Sequence, residues 1–111
     1  MSGDEIVLRL CDTCDGPSWD GVPEAVADAG LEVPVRIEMQ ACMNGCARPR
    51  TLALQGVGRA TYFFDGVDPV ADLGDIIGTL RAYAAAPKGW IEDARPCGRL
   101  RFCLRGRVPA L

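Results

Sequence analysis

Two close cysteine pairs constrain this chain more than any other feature: Cys11-Asp12-Thr13-Cys14 and Cys42-Met43-Asn44-Gly45-Cys46. Each follows a short apolar run that reads as a strand, Ile6–Leu10 and Val33–Met39. The segment between has room for one helix. A strand–helix–strand unit runs its two strands in parallel. Parallel neighbours end on the same edge of their sheet, so both cysteine pairs are expected to emerge there together. In open sheets that edge is where ligands bind. Four thiols at one edge point to a metal or iron–sulfur site.

The rest of the chain supplies a frame for that edge. Pro23 suits the first turn of a helix in which Val22, Ala25, Val26 and Ala29 share a face, and Gly30 stops it. In the second strand, Val33, Val35, Ile37 and Met39 alternate with polar residues and Pro34, which suggests an edge position or a strand start. After a cysteine loop over 40–50, the runs Thr51–Gln55 and Ala60–Phe64 read as a hairpin joined by Gly56-Val57-Gly58-Arg59. Asp68 and Pro69 open a long helix with Val70, Leu73, Ile77, Leu80 and Ala84 on one face, ended by Pro87. Residues 88–111 show no clean period. The expectation is an α/β fold, β-α-β-β-β-α, of thioredoxin-like layout: a small mixed sheet, two helices, a domain over 1–86 and an extended basic tail over 87–111.

With 111 residues, 49% apolar and 24% charged, the chain suits one soluble domain with its own core. No apolar run approaches the ~18 residues of a membrane span. The acidic start, Met1-Ser2-Gly3-Asp4-Glu5, is unlike a signal peptide, so a cytoplasmic location is expected, where thiols stay reduced. Histidine is absent, which excludes cysteine–histidine zinc fingers, Rieske-type ligation and histidine triads. No enzymatic activity is expected. Residues 1–86 hold six arginines against thirteen carboxylates, and residues 87–111 hold six basic residues against Glu92 and Asp93. A basic tail on an acidic body has three readings: docking back on that body, a patch for an acidic partner, or contact with nucleic acid. The last is disfavoured, because the body repels phosphate and the tail offers only Trp90 and Phe102 for stacking.

The spacing of the four cysteines is C-x2-C, 27 residues, then C-x3-C. A short loop lets both sulfurs of a pair reach one metal atom, and Gly45 leaves backbone N–H groups free to approach sulfur. A [2Fe–2S] cluster is the leading reading. Structural zinc on four thiolates, a dithiol redox centre at Cys11 and Cys14, and plain core cysteines remain open beside it. Asp12 and Asp15 oppose the dithiol reading by raising a neighbouring thiol pKa. Cys97 and Cys103 read as apolar packing or free thiols, with a reversible disulfide or a spare ligand as alternatives. Asp72 and Asp75 read as the solvated face of the long helix, and Trp19 and Trp90 as packing residues.

Two cysteine pairs on a β-α-β-β-β-α frame resemble the thioredoxin-like [2Fe–2S] ferredoxins, although the first pair is narrower than is usual there. The chain is more closely similar to a bacterial family of predicted metal-binding proteins of unknown function. Cys11-Asp12-Thr13-Cys14, the stretch Ala41-Cys42-Met43-Asn44-Gly45-Cys46-Ala47-Arg48-Pro49 and the ending Arg105-Gly106-Arg107-Val108-Pro109 carry that similarity. The resemblance implies an electron-transfer role linked to cobalamin biosynthesis or cobalt metabolism. The expected cofactor is one [2Fe–2S] cluster on Cys11, Cys14, Cys42 and Cys46, with zinc as the alternative. Its potential is expected on the order of −300 mV. A redox partner would dock near the cysteine loops, at Met43, Ala47 and Pro49, with Arg48 and Arg50 guiding an acidic surface. A homodimer stays open beside a monomer; nucleic acid and membrane are not expected partners. The alternative functions are a thiol–disulfide oxidoreductase using Cys11 and Cys14, and a zinc-binding interaction module.

Overall fold

The computed structural model describes residues 5–11, 19–31, 33–40 and 51–110. The elements are β1 (Ile6–Cys11), α1 (Gly21–Asp28), β2 (Val35–Gln40), β3 (Leu52–Gln55), β4 (Thr61–Phe64), α2 (Leu73–Ala85) and β5 (Leu104–Val108). Two 3-10 segments, Pro87–Gly89 and Arg95–Phe102, link α2 to β5. One sheet holds all five strands in the order β2-β1-β3-β4-β5. β1 pairs with β2 in parallel, and every other neighbouring pair is antiparallel. The expected α/β frame is present: a parallel pair, an antiparallel hairpin and two helices. β2 lies at the sheet edge, as Pro34 suggested, and the Pro34 carbonyl accepts the Ile6 N–H at 2.9 Å.

Strand alternation divides the sheet into two faces. Ile6, Leu8 and Leu10 of β1 are fully buried on one of them. The register carries this face across the sheet through Leu8, Leu54 and Tyr62, and through Leu10, Leu52 and Phe64. Val22 and Val26 of α1 and Ile76, Leu80 and Tyr83 of α2 complete the same core. Both helices therefore cover one face. The other face carries Val7, Arg9 and Cys11 of β1, and Arg9 Nε donates to Gln55 Oε1 at 2.6 Å across it.

The long helix begins later than expected, and its buried stripe is shifted: Leu80 of the expected face is fully buried, and Leu73, Ile77 and Ala84 pack half-buried against the core. Asp68 Oδ1 accepts the N–H groups of Val70 and Ala71, but this caps a separate turn ahead of Leu73. Val70 is 74% exposed, and the buried residues of α2 are Ile76, Thr79, Leu80 and Tyr83. The cause is a second neighbour, because the Arg95–Phe102 segment packs along α2 and turns its buried stripe away from the one suggested by hydrophobicity alone.

Residues 87–108 are not an extended tail. Ile91, Cys97, Leu100 and Cys103 lie in the main core, and β5 extends the sheet. Tyr62 and Tyr83 meet edge to face at 5.8 Å between ring centres. The Tyr83 hydroxyl donates to the Ala60 carbonyl, and the Tyr62 hydroxyl accepts the Ile91 N–H at 2.8 Å. Burial pushes the Tyr83 hydroxyl up to about 12. The Arg95–Phe102 segment is two short turns joined at Gly98, whose φ is 58°. A Cβ on Gly98 would lie 2.2 Å from Asp75 Oδ1, and one on Gly78 would lie 2.2 Å from the Pro96 carbonyl oxygen. Both glycines let the segment lie directly on α2.

Charge pairing fixes this packing, and it corrects the reading of Asp72 and Asp75 as a solvated face. Arg99 Nε donates to Asp72 Oδ1 at 2.8 Å, Arg99 Nη2 pairs with Asp72 Oδ2, and the same Nη2 reaches the Gly66 carbonyl at 2.7 Å. The Arg99 backbone N–H donates to Asp75 Oδ2 at 3.1 Å. The Asp72 side chain is only 4% exposed. Hydrogen bonds from Arg99 hold its carboxyl below the ordinary value of 3.8, against the opposing effect of desolvation. Arg105 pairs with Asp65, another buried carboxylate, at 2.8 Å. Docking back on the acidic body is what these two arginines do.

Gly78→Ala should destabilise the protein by about 2 kcal/mol or more, since backbone must move to admit the methyl group. Gly74→Ala, which meets open space, should be neutral or stabilise by up to about 1 kcal/mol; urea unfolding of the two variants checks the contrast. Arg99→Ala should cost about 2–3 kcal/mol at pH 7, because it leaves a buried carboxylate without its cation. Asp72 is more acidic folded than unfolded, so the pair stabilises fully above pH ~4 and that contribution is lost as pH falls through the folded value. Urea midpoints from pH 7 to pH 3 should show the gap between wild type and Arg99→Ala closing.

Candidate metal centre

Cys11 is the last residue of β1 and is fully buried. Its backbone is held on both sides. The N–H donates to the Thr51 carbonyl at 3.1 Å, and the carbonyl accepts the Trp19 indole N–H at 2.8 Å. Trp19 itself belongs to the core beneath α1. The strand end is thus fixed by a neighbouring strand and by the residue that leads into the first helix.

Register decides what lies beside it. In the parallel pair Cys11 stands opposite Gln40, the last residue of β2. In the antiparallel pair Leu10 stands opposite Leu52, and the Cys11–Thr51 hydrogen bond extends this ladder by one step. The segment 41–50, which contains Cys42 and Cys46, begins next to Gln40 and ends next to Thr51. Cys11 therefore sits between both ends of the segment that carries the second cysteine pair. Neighbouring strands lie about 4.8 Å apart. Cys14, Cys42 and Cys46 fall outside the described residues, as do Met43, Gly45, Arg48, Pro49 and Arg50. Among the described residues, no three cysteine, aspartate or glutamate side chains gather as a metal-binding group.

Alternation places Cys11 on the face away from the helices, together with Val7 and Arg9. Thr51 is opposite it and 2% exposed. The Thr51 hydroxyl finds no hydrogen-bond partner among the described residues. A buried donor left in this state costs about 1–3 kcal/mol. In the sequence Thr51 stands as the first residue of an apolar strand. The available signal was its position as the first residue after the second cysteine segment. Trp19 was read as packing, and its indole N–H adds a specific anchor for the Cys11 carbonyl.

Cys97 and Cys103 lie elsewhere. Both are buried in the core on the helix side of the sheet, which separates them from the face that carries Cys11. Burial raises the Cys97 thiol pKa, with a hydrogen bond to Thr79 acting in the opposite direction. The Cys103 Sγ lies 3.6 Å from the Arg99 carbonyl oxygen. They serve as small core residues along the Arg95–Phe102 segment.

Among the described residues, no helix is long and apolar enough to cross a membrane. No curated protein and no solved structure matches the chain. A family model described as a protein of unknown function, DUF1636, matches residues 19–110. Cys42, Cys46, Cys97 and Cys103 fall inside that span, and Cys11 and Cys14 precede it. The match covers most of the length, and the chain belongs to the DUF1636 family.

Proposed function

We propose that this protein is a small electron carrier of thioredoxin-like layout that holds one [2Fe–2S] cluster on Cys11, Cys14, Cys42 and Cys46. The observation that carries this reading is the register around Cys11, which lies between Gln40 and Thr51, the two ends of the segment bearing Cys42 and Cys46. Covalent reach limits Cys42 to about 7 Å from the Gln40 Cα, and Cys14 to about 11 Å from that of Cys11. The donor set fits the group, since four thiolates without histidine suit a [2Fe–2S] centre.

When bound, the cluster supplies a one-electron couple. The chain's residues hold it, limit water access and set its potential. The burial of Cys11 disfavours the thiol–disulfide reading, because an attacking thiolate needs exposure and an electropositive setting. The chain would act in the cytoplasm, passing electrons to a partner protein that docks near the cysteine segments. Cobalamin biosynthesis or cobalt metabolism is the setting that the family resemblance implies. Structural zinc on the same four thiolates is the competing outcome, and it gives a colourless protein.

Anaerobically prepared protein should contain two iron and two sulfide per chain, with visible absorption that bleaches on one-electron reduction. Serine at Cys11, Cys14, Cys42 or Cys46 should weaken or abolish that absorption. Cys97→Ala and Cys103→Ala should keep it, since both residues lie on the other side of the sheet. Stoichiometric zinc with no sulfide, or an unchanged spectrum in Cys42→Ser, would overturn the assignment.

A further inference from the structure

β5 pairs with β4 along one side and forms the end of the sheet along the other. A strand in that place presents a row of backbone N–H and C=O groups to any segment that can pair with it. Its apolar side chains are open as well, with Leu104 38% and Val108 54% exposed. The charge around it has one sign: residues 99–111 hold four arginines and no carboxylate side chain. Two of the four are committed inward, Arg99 to Asp72 and Arg105 to Asp65. The other two are exposed and lie over aromatic rings. Arg101 sits 4.7 Å from the ring centre of Phe102, and Arg107 sits 4.3 Å from that of Trp90. Stacking orients a guanidinium and leaves its in-plane N–H donors available to a carboxylate.

Arg101 and Arg107 also line a cavity of about 60 Å³, whose apolar walls include Tyr62, Phe64, Ile91 and Leu104. Leu104 stands opposite Phe64 and Arg107 opposite Tyr62, so the cavity opens beside β5 on the helix side of the sheet. It is well below the ~150 Å³ that admits benzene, which suits an aliphatic side chain rather than a ring. We propose that β5 is a docking edge for an extended acidic segment of a partner protein. The segment adds as a further strand, seats one aliphatic side chain in the cavity and meets Arg101 and Arg107 with carboxylates. In this mode backbone bonds supply affinity and the pocket supplies specificity. Side chains two positions apart share a face of a strand, so the matching pattern is acid, any residue, aliphatic, any residue, acid. A second copy of this chain fits the edge poorly. Two β5 strands paired about Gly106 set Arg105 of one copy opposite Arg107 of the other, and like charges in that position repel. The proposal does not rest on the cysteine site.

The test uses a short fluorescein-labelled peptide with leucine at its centre, a glutamate two positions to either side and threonine elsewhere, titrated with the full chain and followed by anisotropy. Wild type should bind it, and binding should weaken as salt rises. Arg101→Gln and Arg107→Gln should each weaken it by up to about fivefold, with unchanged circular dichroism. Three altered peptides test the mode without touching the protein. Lysine in place of glutamate should abolish binding, serine in place of leucine should weaken it, and N-methylation of alternate backbone amides should abolish it. No binding of the parent peptide at ~1 mM, a concentration at which even millimolar affinity is seen, overturns the proposal. So does equal binding of the serine or the N-methylated peptide, which would leave only diffuse charge attraction. A wild-type dimer that excludes the peptide would assign the edge to a second copy and overturn it too.

Discussion

β1 hydrogen-bonds along both edges, in parallel to β2 and antiparallel to β3. This double pairing is the constraint from which the rest of the arrangement follows. Ile6, Leu8 and Leu10 become the centre of the core because a strand with neighbours on both sides lies far from solvent. The same pairing fixes Cys11 between the last residue of β2 and the residue leading into β3. A slip of one residue would exchange Cys11 with Leu10 across the sheet and break both the core and the candidate site. The core and the proposed site share this register.

The opposite side of the sheet depends on a separate device. β4 would be an edge strand if the chain ended after α2. Residues 104–108 pair with it, while the preceding segment fills the space along α2 with Cys97, Leu100 and Cys103. Two short turns hold little structure by themselves, since runs of 3-10 geometry have poor hydrogen bonds. Arg99 supplies the missing constraint by joining Asp72, Gly66 and Asp75 from one position. A charged network here costs desolvation, and its return is a segment held in one place rather than sliding on an apolar surface. Gly78 and Gly98 complete the fit by removing the Cβ atoms that would separate the two elements.

These two devices lie on different parts of the molecule, and that separation bears on the six cysteines. Cys97 and Cys103 belong to the C-terminal packing beneath the sheet. Cys11 belongs to the strand end on the other face, opposite the buried Thr51. The same residue type thus stands in two different settings. In an apolar core a thiol acts as a small hydrophobe of raised pKa. At a strand end bordered by two cysteine segments, it stands where a metal ligand is expected.

The local pattern of the sequence was enough for the described elements up to Phe64. The alternation in Val33–Met39, the helix ended by Gly30 and the glycine-rich hairpin each carry their own period or turn chemistry, and the structure holds a β2, an α1 and a β3–β4 hairpin there. The order of these elements also implied the parallel pair, and with it the edge where Cys11 ends its strand. The C-terminal quarter was not legible, because 3-10 turns follow neither the helical nor the strand period, and a strand such as Leu104–Val108 with two arginines looks like solvated chain. The expected face of α2 holds only in part: Val70 falls in the turn before the helix and is exposed, while Leu80 is buried and Leu73, Ile77 and Ala84 pack against the core. Asp72 looked like surface until Arg99, 27 positions later, covered it. The sequence by itself determined which residues can pair and which chemistry four thiolates allow. The tertiary structure decided which charges are buried and which hydroxyl faces Cys11, because both depend on contacts between residues far apart in the chain, where no local period reaches.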